Sequence, residues 1–599
     1  MIRVADFLAQ ALAEHNIHHV FLVTGGGAMH LNDAIGRCKD LHYVACHHEQ
    51  ACAMAAESYY RLSNRIAAVN VTTGPGGINA LNGVFGAYTD SQAMIVISGQ
   101  VKWETTLRAV PFPLRQLGDQ EADIVRLVAP ITKYAAMIED PHTARYHLEK
   151  ALFLATQGRP GPVWLDVPMN VQGALIDPDT LPRFDPSEAQ PSWLQGDALR
   201  SAAGRILEAV QGAKRPVLLA GEGVRLAGQH ETLLELGRRW NIPLVTAWNA
   251  HDLVPDSHPT YIGRPGTIGD RAGNFAVQNA DVLLVLGCRL NIRQISYNWE
   301  AFARHAFQIV VDVDEAELKK PTLSPDLPVH ADLRDLMPLL LQGHVQGPQE
   351  WLDWCQERRH RYPVVLPEYW EGTDGVNPYC FAQKLFEQLD EDEIVVTGDG
   401  TACVTTFQAA FLKPGQRLYT NSGCASMGYD LPGAIGAAFA SPGSARIVCL
   451  AGDGSIMMNL QELQTIRTHA LPVKLFVLNN RGYHSIRQTQ HSYFPDNIVG
   501  CGEESGLSFP QFSKIADAFG FSYRACQTHD ELEAAIGATL EAPGAALCEV
   551  FLDLGQGFAP KLASRKLDDG RMVSSPLEDL APFLSREELA ENMIVPMES

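Results

Sequence analysis

Short apolar runs alternate with longer segments of helical periodicity along almost the whole chain, and this pattern limits the possible fold more than any other feature. Residues 19–23, 67–71, 94–97 and 163–167 have the length and β-branched content of buried parallel strands. The segments between them repeat apolar residues at the spacing of amphipathic helices. The sequence therefore predicts an α/β protein in which strand–helix–strand units build parallel sheets.

The length of 599 residues implies more than one hydrophobic core, because single domains rarely exceed about 250–300 residues. Two proline-containing stretches of weak periodicity, near residues 176–196 and 343–378, are candidate boundaries. We predict three doubly wound parallel-sheet domains at residues 1–180, 190–345 and 360–560, followed by a C-terminal tail at residues 561–599.

The bulk composition argues against several classes of function. A net charge of −22 disfavours binding to nucleic acid or to an anionic membrane surface. The sequence has no run of about 18 apolar residues, so no transmembrane helix is expected. The N-terminus lacks the basic and then apolar pattern of a signal peptide, and the 12 cysteines form no Cys-x-x-Cys pair. These features predict a cytoplasmic protein with reduced thiols.

The clearest chemical signal is a Gly-Asp-Gly-Ser string at residues 452–455, followed 27 residues after Asp453 by Asn480. A strand-like apolar run precedes each of these two polar residues, so both should lie at the carboxyl ends of parallel strands. Carboxylate and amide oxygens there suit Mg²⁺, and the N–H groups of a following helix suit phosphate oxygens. The alternative is a tight Asp-Gly turn and an Asn helix cap.

Two further constellations lie in the first predicted domain. Glu49 follows a pair of histidines and opens a helical segment, and residues 73–77 read Thr-Gly-Pro-Gly-Gly at the end of a predicted strand. Glycines at such a strand end let the backbone approach a ligand closely. The alternatives are a carboxylate that only interacts with the helix dipole, and a simple turn.

Together these strings resemble the thiamine diphosphate enzymes, and most closely the catalytic subunits of acetolactate synthases. Similar strings at residues 131–133, 158–162, 461–466 and 471–474 extend the resemblance over about residues 1–555. The resemblance implies a pyrimidine-binding domain, a central FAD/Rossmann-like domain and a diphosphate-binding domain. It also implies a homodimer or homotetramer, with each active site between the first domain of one subunit and the third domain of another.

The resemblance assigns roles in activating the cofactor. Glu49 would contact N1′ of the aminopyrimidine and start the proton relay, with Gln120 as a second catalytic residue. The carbonyl of Ala425 would accept a hydrogen bond from the 4′-amino group, and Met427 would hold the cofactor bent. On the pyrimidine side, the other contacts implied are Gly26, Gly27, Thr73, Gly74 and Asn79.

The resemblance also implies a metal and diphosphate site. Asp453, the side chain of Asn480 and the backbone carbonyl of Gly482 would bind Mg²⁺. The diphosphate contacts implied are Gly400, Thr401, Gly452, Gly454 and Ser455. The chain departs from the family here, because Thr401-Ala402 replace the usual Gln-His pair.

The central domain carries strings that look like the FAD contacts of acetolactate synthases. These residues are Gly221, Gly223, Gly266, Thr267, Gly287, Arg289 and Asp312. The resemblance implies FAD with a structural role, because the overall reaction passes no electrons to an outside acceptor. The alternative is a central domain that keeps the fold without a ligand.

The acceptor side departs further from the family. Asp119 stands where a Phe is usual, and Thr489 stands where acetolactate synthases carry a Trp, so the pocket should be wider and more polar. Strings at residues 114–121 and 145–150 resemble a subgroup that transfers a two-carbon unit from pyruvate to a keto nucleotide sugar. Arg293 is counter-evidence, since it matches the Arg associated with the carboxylate of a second keto acid.

We therefore expect a carboligase that uses pyruvate and a ketone acceptor. The first alternative is an acetolactate synthase, which joins two pyruvates in branched-chain amino acid synthesis. The second is a paralogue that binds thiamine diphosphate without turnover. Glu49 argues against the second alternative, because binding alone needs no carboxylate at N1′.

Overall fold

Three separate six-stranded sheets, each with every strand parallel to its neighbours, form the framework of the chain. The computed structural model describes residues 1–443, 446–566 and 572–597. Helices cover the sheets, so their central strands are buried on both sides. The predicted fold class of three doubly wound α/β domains is confirmed.

In the first sheet, the strand order reverses between the strands that come first and third along the chain, and this position is the topological switch point. In spatial order its strands are His42–Ala45, His19–Leu22, Ala68–Val71, Ile95–Gln100, Val163–Pro168 and Tyr134–Met137. Its helices are Val4–Glu14, Met29–Arg37, Glu49–Ser63, Pro75–Thr89, Ile124–Val128, Ala144–Thr156 and Met169–Gln172. The glycine-rich loops at residues 25–27 and 74–77 follow the two strands at the switch point, where α/β folds bind ligands.

The middle sheet has the strand order of a dinucleotide-binding fold. In spatial order its strands are Tyr261–Gly263, Leu244–Thr246, Pro216–Ala220, Val282–Leu286, Phe307–Asp312 and Leu327–His330. Its helices are Gly196–Gln211, Gly223–Leu226, His230–Trp240, Arg271–Asn279, Ile292–Ile295, Glu315–Leu318 and Leu333–Gln342. Gly221 and Gly287 directly follow the two strands at its switch point.

The third sheet repeats the strand order of the first. In spatial order its strands are Arg417–Tyr419, Ile394–Thr397, Ile447–Gly452, Val473–Asn479, Ala546–Phe551 and Ser522–Cys526. The helices that follow the middle domain are Gln349–Arg361, Pro378–Gln388, Thr401–Ala409, Asp430–Ala440, Glu462–Thr468, His484–Tyr493, Phe512–Phe519, His529–Leu540 and Arg586–Glu591. Two short antiparallel pairs complete the strands: Ile2–Arg3 with Leu175–Ile176, and Ser564–Lys566 with Met572–Ser574.

The first and third domains pack together through the helices Glu49–Ser63 and Asp430–Ala440. Small residues allow the close approach, because a Cβ at Gly436 would overlap the carbonyl oxygen of Ala55. The hydroxyl of Ser58 donates to the carbonyl of Gly433 at 2.6 Å. This contact fixes the site segments of the two domains relative to each other.

The tail folds back onto the middle domain. Leu577 belongs to the hydrophobic core of that domain. The buried carboxylate of Glu578 accepts hydrogen bonds from Gln278 at 2.6 Å and from Arg304 at 2.8 Å. The tail therefore covers the middle domain. Across the described residues, every helix is too short or too polar to cross a membrane.

Candidate cofactor site

Three oxygen atoms converge at the carboxyl edge of the third sheet. The strands Ile447–Gly452 and Val473–Asn479 pair in parallel, so Asp453 and Asn480 emerge side by side. Oδ1 of Asn480 lies 2.5 Å from the carbonyl oxygen of Gly482 and 3.2 Å from Oδ1 of Asp453. The Nδ2 group of Asn480 donates to Thr401 Oγ1 at 3.2 Å.

Oxygen atoms in such close contact repel one another unless a cation binds between them. The alternative is that the Asn480 amide is rotated by 180°, so that its nitrogen faces the other two oxygens. A carboxylate, an amide and a carbonyl oxygen form a donor set that fits a hard divalent cation such as Mg²⁺. Asp453 is 1% exposed, and burial raises the pKa of its carboxyl to about 7. A cation would compensate this buried charge. The structure thus brings together the three metal ligands that the sequence predicts.

Contacts with neighbouring residues fix the backbone conformation of Gly482. Its φ is +139°, and a Cβ there would overlap the carbonyl oxygen of Cys501. Arg487 donates to the carbonyls of Asn480 at 3.2 Å and Cys501 at 3.3 Å. These contacts hold the carbonyl of Gly482 beside Asp453, whose carboxylate accepts the Gly482 N–H at 3.0 Å.

A helix N-terminus lies next to these oxygens. Gly400, with φ +83°, precedes the helix Thr401–Ala409, and it has no side chain to cap the first N–H groups. Free N–H groups at a helix start are suited to phosphate oxygens. Ser455, another predicted diphosphate contact, donates its hydroxyl hydrogen to Asp430 at 2.6 Å. Its hydroxyl hydrogen is therefore already used within the protein.

The first domain contributes a buried carboxylate. Glu49 begins the helix Glu49–Ser63 and is 9% exposed. The amide of Asn79 donates to Glu49 Oε2 at 3.0 Å. A Cβ at Gly76 would lie 2.9 Å from Thr72 Cγ2, so glycine is favoured at this position beside the carboxylate. Glu49 and Asn79, each predicted separately as a site residue, are therefore in contact.

The loop that carries Gln120 lies directly on the predicted glycine turn. Gly74 has φ +57°, and a Cβ there would overlap the carbonyl oxygen of Gln120. Thr73 Oγ1 donates to Gln100 Oε1 at 2.5 Å, and the N–H of Gly27 donates to Thr72 at 3.0 Å. Gly26, Gly27, Thr73 and Gly74 thus share one edge of the first sheet, as predicted, with Gln120 beside them.

Ala425 and Met427 lie on a loop between the two domains. Ala425 has φ +56°. Ser426 donates to Asn82 of the first domain at 2.8 Å, and the N–H of Gly428 donates to Ser455 at 2.9 Å. Among the described residues, no hydrogen bond directly joins the predicted contacts of the first domain to those of the third.

Comparison with known proteins identifies the family. Residues 2–125, 203–340 and 398–550 match the models "Thiamine pyrophosphate enzyme, N-terminal TPP binding domain", "central domain" and "C-terminal TPP binding domain", respectively. The chain belongs to the thiamine pyrophosphate enzyme family. Thiamine pyrophosphate is another name for thiamine diphosphate.

Relatives of this thiamine pyrophosphate enzyme span nearly its whole length. It is 30% identical to acetolactate synthase isozyme 1 large subunit of Escherichia coli over 562 residues, which is 93% of this chain and 95% of that protein. It is also 30% identical to a probable acetolactate synthase large subunit of Methanocaldococcus jannaschii, with 92% of each chain covered. An acetolactate synthase of Arthrospira platensis is 31% identical, with 86% of this chain and 88% of that protein covered.

A second candidate site in this thiamine pyrophosphate enzyme is a cavity of about 1030 Å³, including space open to solvent. Residues of all three domains line it. Five predicted FAD contacts are on its wall: Gly221, Gly223, Gly287, Arg289 and Asp312. Burial raises the pKa of Asp312 to about 6.

Two predicted FAD contacts are placed differently. Gly266 and Thr267 do not belong to the cavity lining, and the N–H of Thr267 donates to the carbonyl of Arg293 at 2.9 Å. Trp248 and Asn249 line the cavity instead, and sequence reasoning missed them. Trp248 Nε1 and Asn249 Oδ1 are buried without a partner in the described chain, so a ligand that supplies an acceptor and a donor would fit this wall.

Proposed function

We propose that this thiamine pyrophosphate enzyme is a carboligase that decarboxylates pyruvate and transfers the two-carbon unit to a ketone acceptor, such as a keto nucleotide sugar. The family and its acetolactate synthase relatives support the cofactor and the class of reaction. The observation that carries the choice of acceptor is that Asp119 and Thr489, in place of two aromatic residues, are both polar and exposed.

The proposed cofactor site uses residues already in place. Asp453, Asn480 and the carbonyl of Gly482 would hold Mg²⁺, and the N-terminus beginning at Thr401 would hold the diphosphate. When bound, thiamine diphosphate supplies a thiazolium carbon that attacks carbonyls and an electron sink for decarboxylation. Glu49, oriented by Asn79, would hold a proton at N1′ of the aminopyrimidine.

The position of Arg293 favours a ketone over a second keto acid. Its guanidinium lies over the ring of Trp248, 5.1 Å from the ring centroid. Burial raises the pKa of the nearby Asp399, and the positive charge of Arg293 opposes that shift. An arginine that already lies over an aromatic ring is less available to bind an acceptor carboxylate.

A second copy of the chain is the proposed partner. The helix Pro75–Thr89 carries Asn79, the partner of Glu49, and exposes Ile78, Phe85 and Tyr88 by 45%, 41% and 39%. The spacing of these three residues places them on one face of the helix. Large apolar residues grouped on one exposed face are typical of an interface. We infer that another subunit covers this face beside the cofactor site.

FAD is the proposed occupant of the cavity between the domains. The backbone at Gly221 and Gly287 can approach a ligand closely, and Asp312, which also lines the cavity, would accept hydrogen bonds from ribose hydroxyls. We expect purified protein to carry a yellow flavin that is not reduced during turnover. A colourless protein with full activity would contradict this assignment.

Product analysis tests the proposed acceptor. The loaded enzyme is incubated with pyruvate alone and then with pyruvate plus cyclic or sugar ketones, and products are identified by mass spectrometry. We expect the mixed product to dominate whenever a sugar ketone is present. Acetolactate as the main product of every mixture would support the acetolactate synthase alternative. Cofactor binding without pyruvate consumption would support a non-catalytic paralogue.

A further inference from the structure

Asp430 is a fully buried carboxylate that the proposed mechanism does not use. It begins the helix Asp430–Ala440 and is 0% exposed. Its Oδ2 accepts the hydroxyl hydrogen of Ser455 at 2.6 Å, and its Oδ1 accepts the N–H of Leu431 at 2.9 Å. In the described chain no cationic side chain forms an ion pair with it. Burying a carboxylate without a cation is unfavourable, so a purely structural position would favour an apolar residue.

Ser455 connects Asp430 to both proposed cofactor segments. It lies in the turn that carries Asp453, the proposed metal ligand. Because its hydrogen is directed at Asp430, a lone pair of Oγ is free to accept the N–H of Gly428 at 2.9 Å. Gly428 directly follows Met427 in the loop proposed to bend the cofactor. One hydroxyl thus bridges the metal turn and the bending loop.

Contacts with neighbouring residues restrict the hydrogen bonds that join Asp430, Ser455 and Gly428. A Cβ at Gly398 would lie 2.5 Å from Asp430 Oδ2 and 2.9 Å from Ser455 Oγ, so Gly398 leaves room for the pair. Gly428 has φ +84°, and Asn459 donates to its carbonyl at 2.8 Å. The N–H and the carbonyl of Gly428 are therefore both bonded within the third domain, the N–H to Ser455 and the carbonyl to Asn459.

We propose that Asp430 is a positioning residue, which orients the Ser455 hydroxyl so that the Met427 loop is fixed relative to the metal-binding turn. The pair would set the bend of bound thiamine diphosphate, and hence the approach of the 4′-nitrogen to the thiazolium C2. This inference deepens the proposed function and rests on its cofactor arrangement. The competing reading is that Asp430 only caps its helix and Ser455 only contacts the diphosphate.

The test compares Asp430→Asn, Ser455→Ala and the double variant with the parent protein, each loaded with Mg²⁺ and thiamine diphosphate. Two quantities are measured without turnover. Calorimetry gives the Kd of the cofactor, and acid-quench NMR gives the rate at which its C2 proton exchanges in D₂O. The control is Thr539→Val, which removes another buried hydroxyl, on the helix His529–Leu540 of the same domain.

We expect each single variant to slow C2 exchange by about tenfold to a hundredfold, because a small misplacement of reacting groups is costly. The Kd should change by no more than about threefold, because the proposed metal ligands remain. The double variant should exchange no more slowly than Ser455→Ala, since both residues act through one bond. Thr539→Val should exchange at the parent rate.

Several results would overturn the proposal. These are parental exchange in Ser455→Ala, additive effects in the double variant, or equal slowing in the Thr539→Val control. A change confined to Kd would instead place the Ser455 hydroxyl at the diphosphate. If Asp430→Asn does not fold, Ser455→Ala alone decides, because it removes only one oxygen atom. A parent protein that binds no thiamine diphosphate would contradict the proposed function itself, which is a separate failure.

Discussion

The first and third domains share one strand order but present different chemistry at their carboxyl edges. In the first domain, the loops after the strands are glycine turns, and the nearby carboxylate of Glu49 is satisfied by an amide donor at 3.0 Å. In the third, the side-chain amide of Asn480 lies beside the carboxylate of Asp453 and the carbonyl oxygen of Gly482. The carboxyl edge of the first domain is therefore suited to bind the aminopyrimidine ring and a proton on it. The carboxyl edge of the third domain is suited to bind a cation.

This comparison separates what topology decides from what side chains decide. An identical order of parallel strands places loops at the same edge in both domains, and that edge is where α/β folds bind ligands. The chemistry follows from a few residues at the strand ends, since a fold alone does not fix function. Changing those residues in one domain should therefore affect a different step from changing them in the other.

The largest effect is expected in the third domain. Asp453→Ala removes the central carboxylate of the oxygen cluster, so the proposed diphosphate charges lose their metal bridge. We expect no measurable binding of thiamine diphosphate at ordinary Mg²⁺ concentrations in isothermal calorimetry. Asp517→Ala, an exposed carboxylate in the same domain, is the matched control. Unchanged affinity in Asp453→Ala would remove this residue from the metal site.

The next effect is expected in the first domain and should have the opposite signature. Glu49→Gln keeps the shape of the side chain but loses the carboxylate that would hold a proton at N1′. We expect turnover to fall by about 10²–10⁴-fold, while metal-dependent binding of the cofactor stays close to that of the parent. Steady-state kinetics and calorimetry check the two parts, with the exposed Glu14→Gln as control. Near-normal turnover, or lost binding, would break the contrast between the two domains.

The sequence predicted the fold class because buried parallel strands leave a strong local pattern of apolar runs. It also predicted the convergence of Asp453 and Asn480, because both follow strand ends whose spacing can be read directly, while Gly482 came only from the family resemblance.

Contacts between distant segments could not be predicted in the same way. The bond between Ser455 and Asp430 joins residues 25 positions apart on separate elements, and no local pattern signals it. The cavity wall formed by Trp248 and Asn249 likewise depends on how three domains pack. The motif at residues 145–150 now has a structural explanation, since Tyr146 and Lys150 contact Glu188 of the linker. This explanation removes one argument for assigning the motif to a particular substrate.

A smaller effect is expected at the acceptor side. Thr489 is exposed on the helix His484–Tyr493, and its hydroxyl donates to the carbonyl of Ser485 at 3.1 Å. Thr489→Trp adds apolar volume and removes this polar group, so it should favour small keto acids. We expect the ratio of kcat/KM for a sugar ketone to that for a second pyruvate to fall by about tenfold to a hundredfold. Thr489→Val, which removes only the hydroxyl, separates the effect of volume from that of polarity. An unchanged ratio in Thr489→Trp would show that the acceptor binds elsewhere.

The smallest effect on activity is expected from a buried carboxylate behind the first domain's edge. Asp166 is fully buried and accepts hydrogen bonds from Ser98 at 2.6 Å and Gln100 at 3.0 Å. Gln100 in turn accepts a hydrogen bond from Thr73, so the network connects Asp166 to the glycine turn at residues 73–77. Burial raises the pKa of the Asp166 carboxyl to about 7, well above the value of about 3.9 in an unfolded chain.

The sign of the pH dependence follows from this difference. The folded protein binds the Asp166 proton more tightly than the unfolded chain does, so its stabilising contribution is complete below about pH 4. That contribution is lost progressively as the pH rises through about 7. Asp166→Asn imitates the protonated carboxyl and should flatten the fall in Tm between these limits, as measured by thermal unfolding at several pH values. Asp179→Asn, an exposed site in the same domain, should leave the profile unchanged. A parent-like slope in Asp166→Asn would mean that Asp166 stays ionised in the folded protein and that its two donors outweigh its burial.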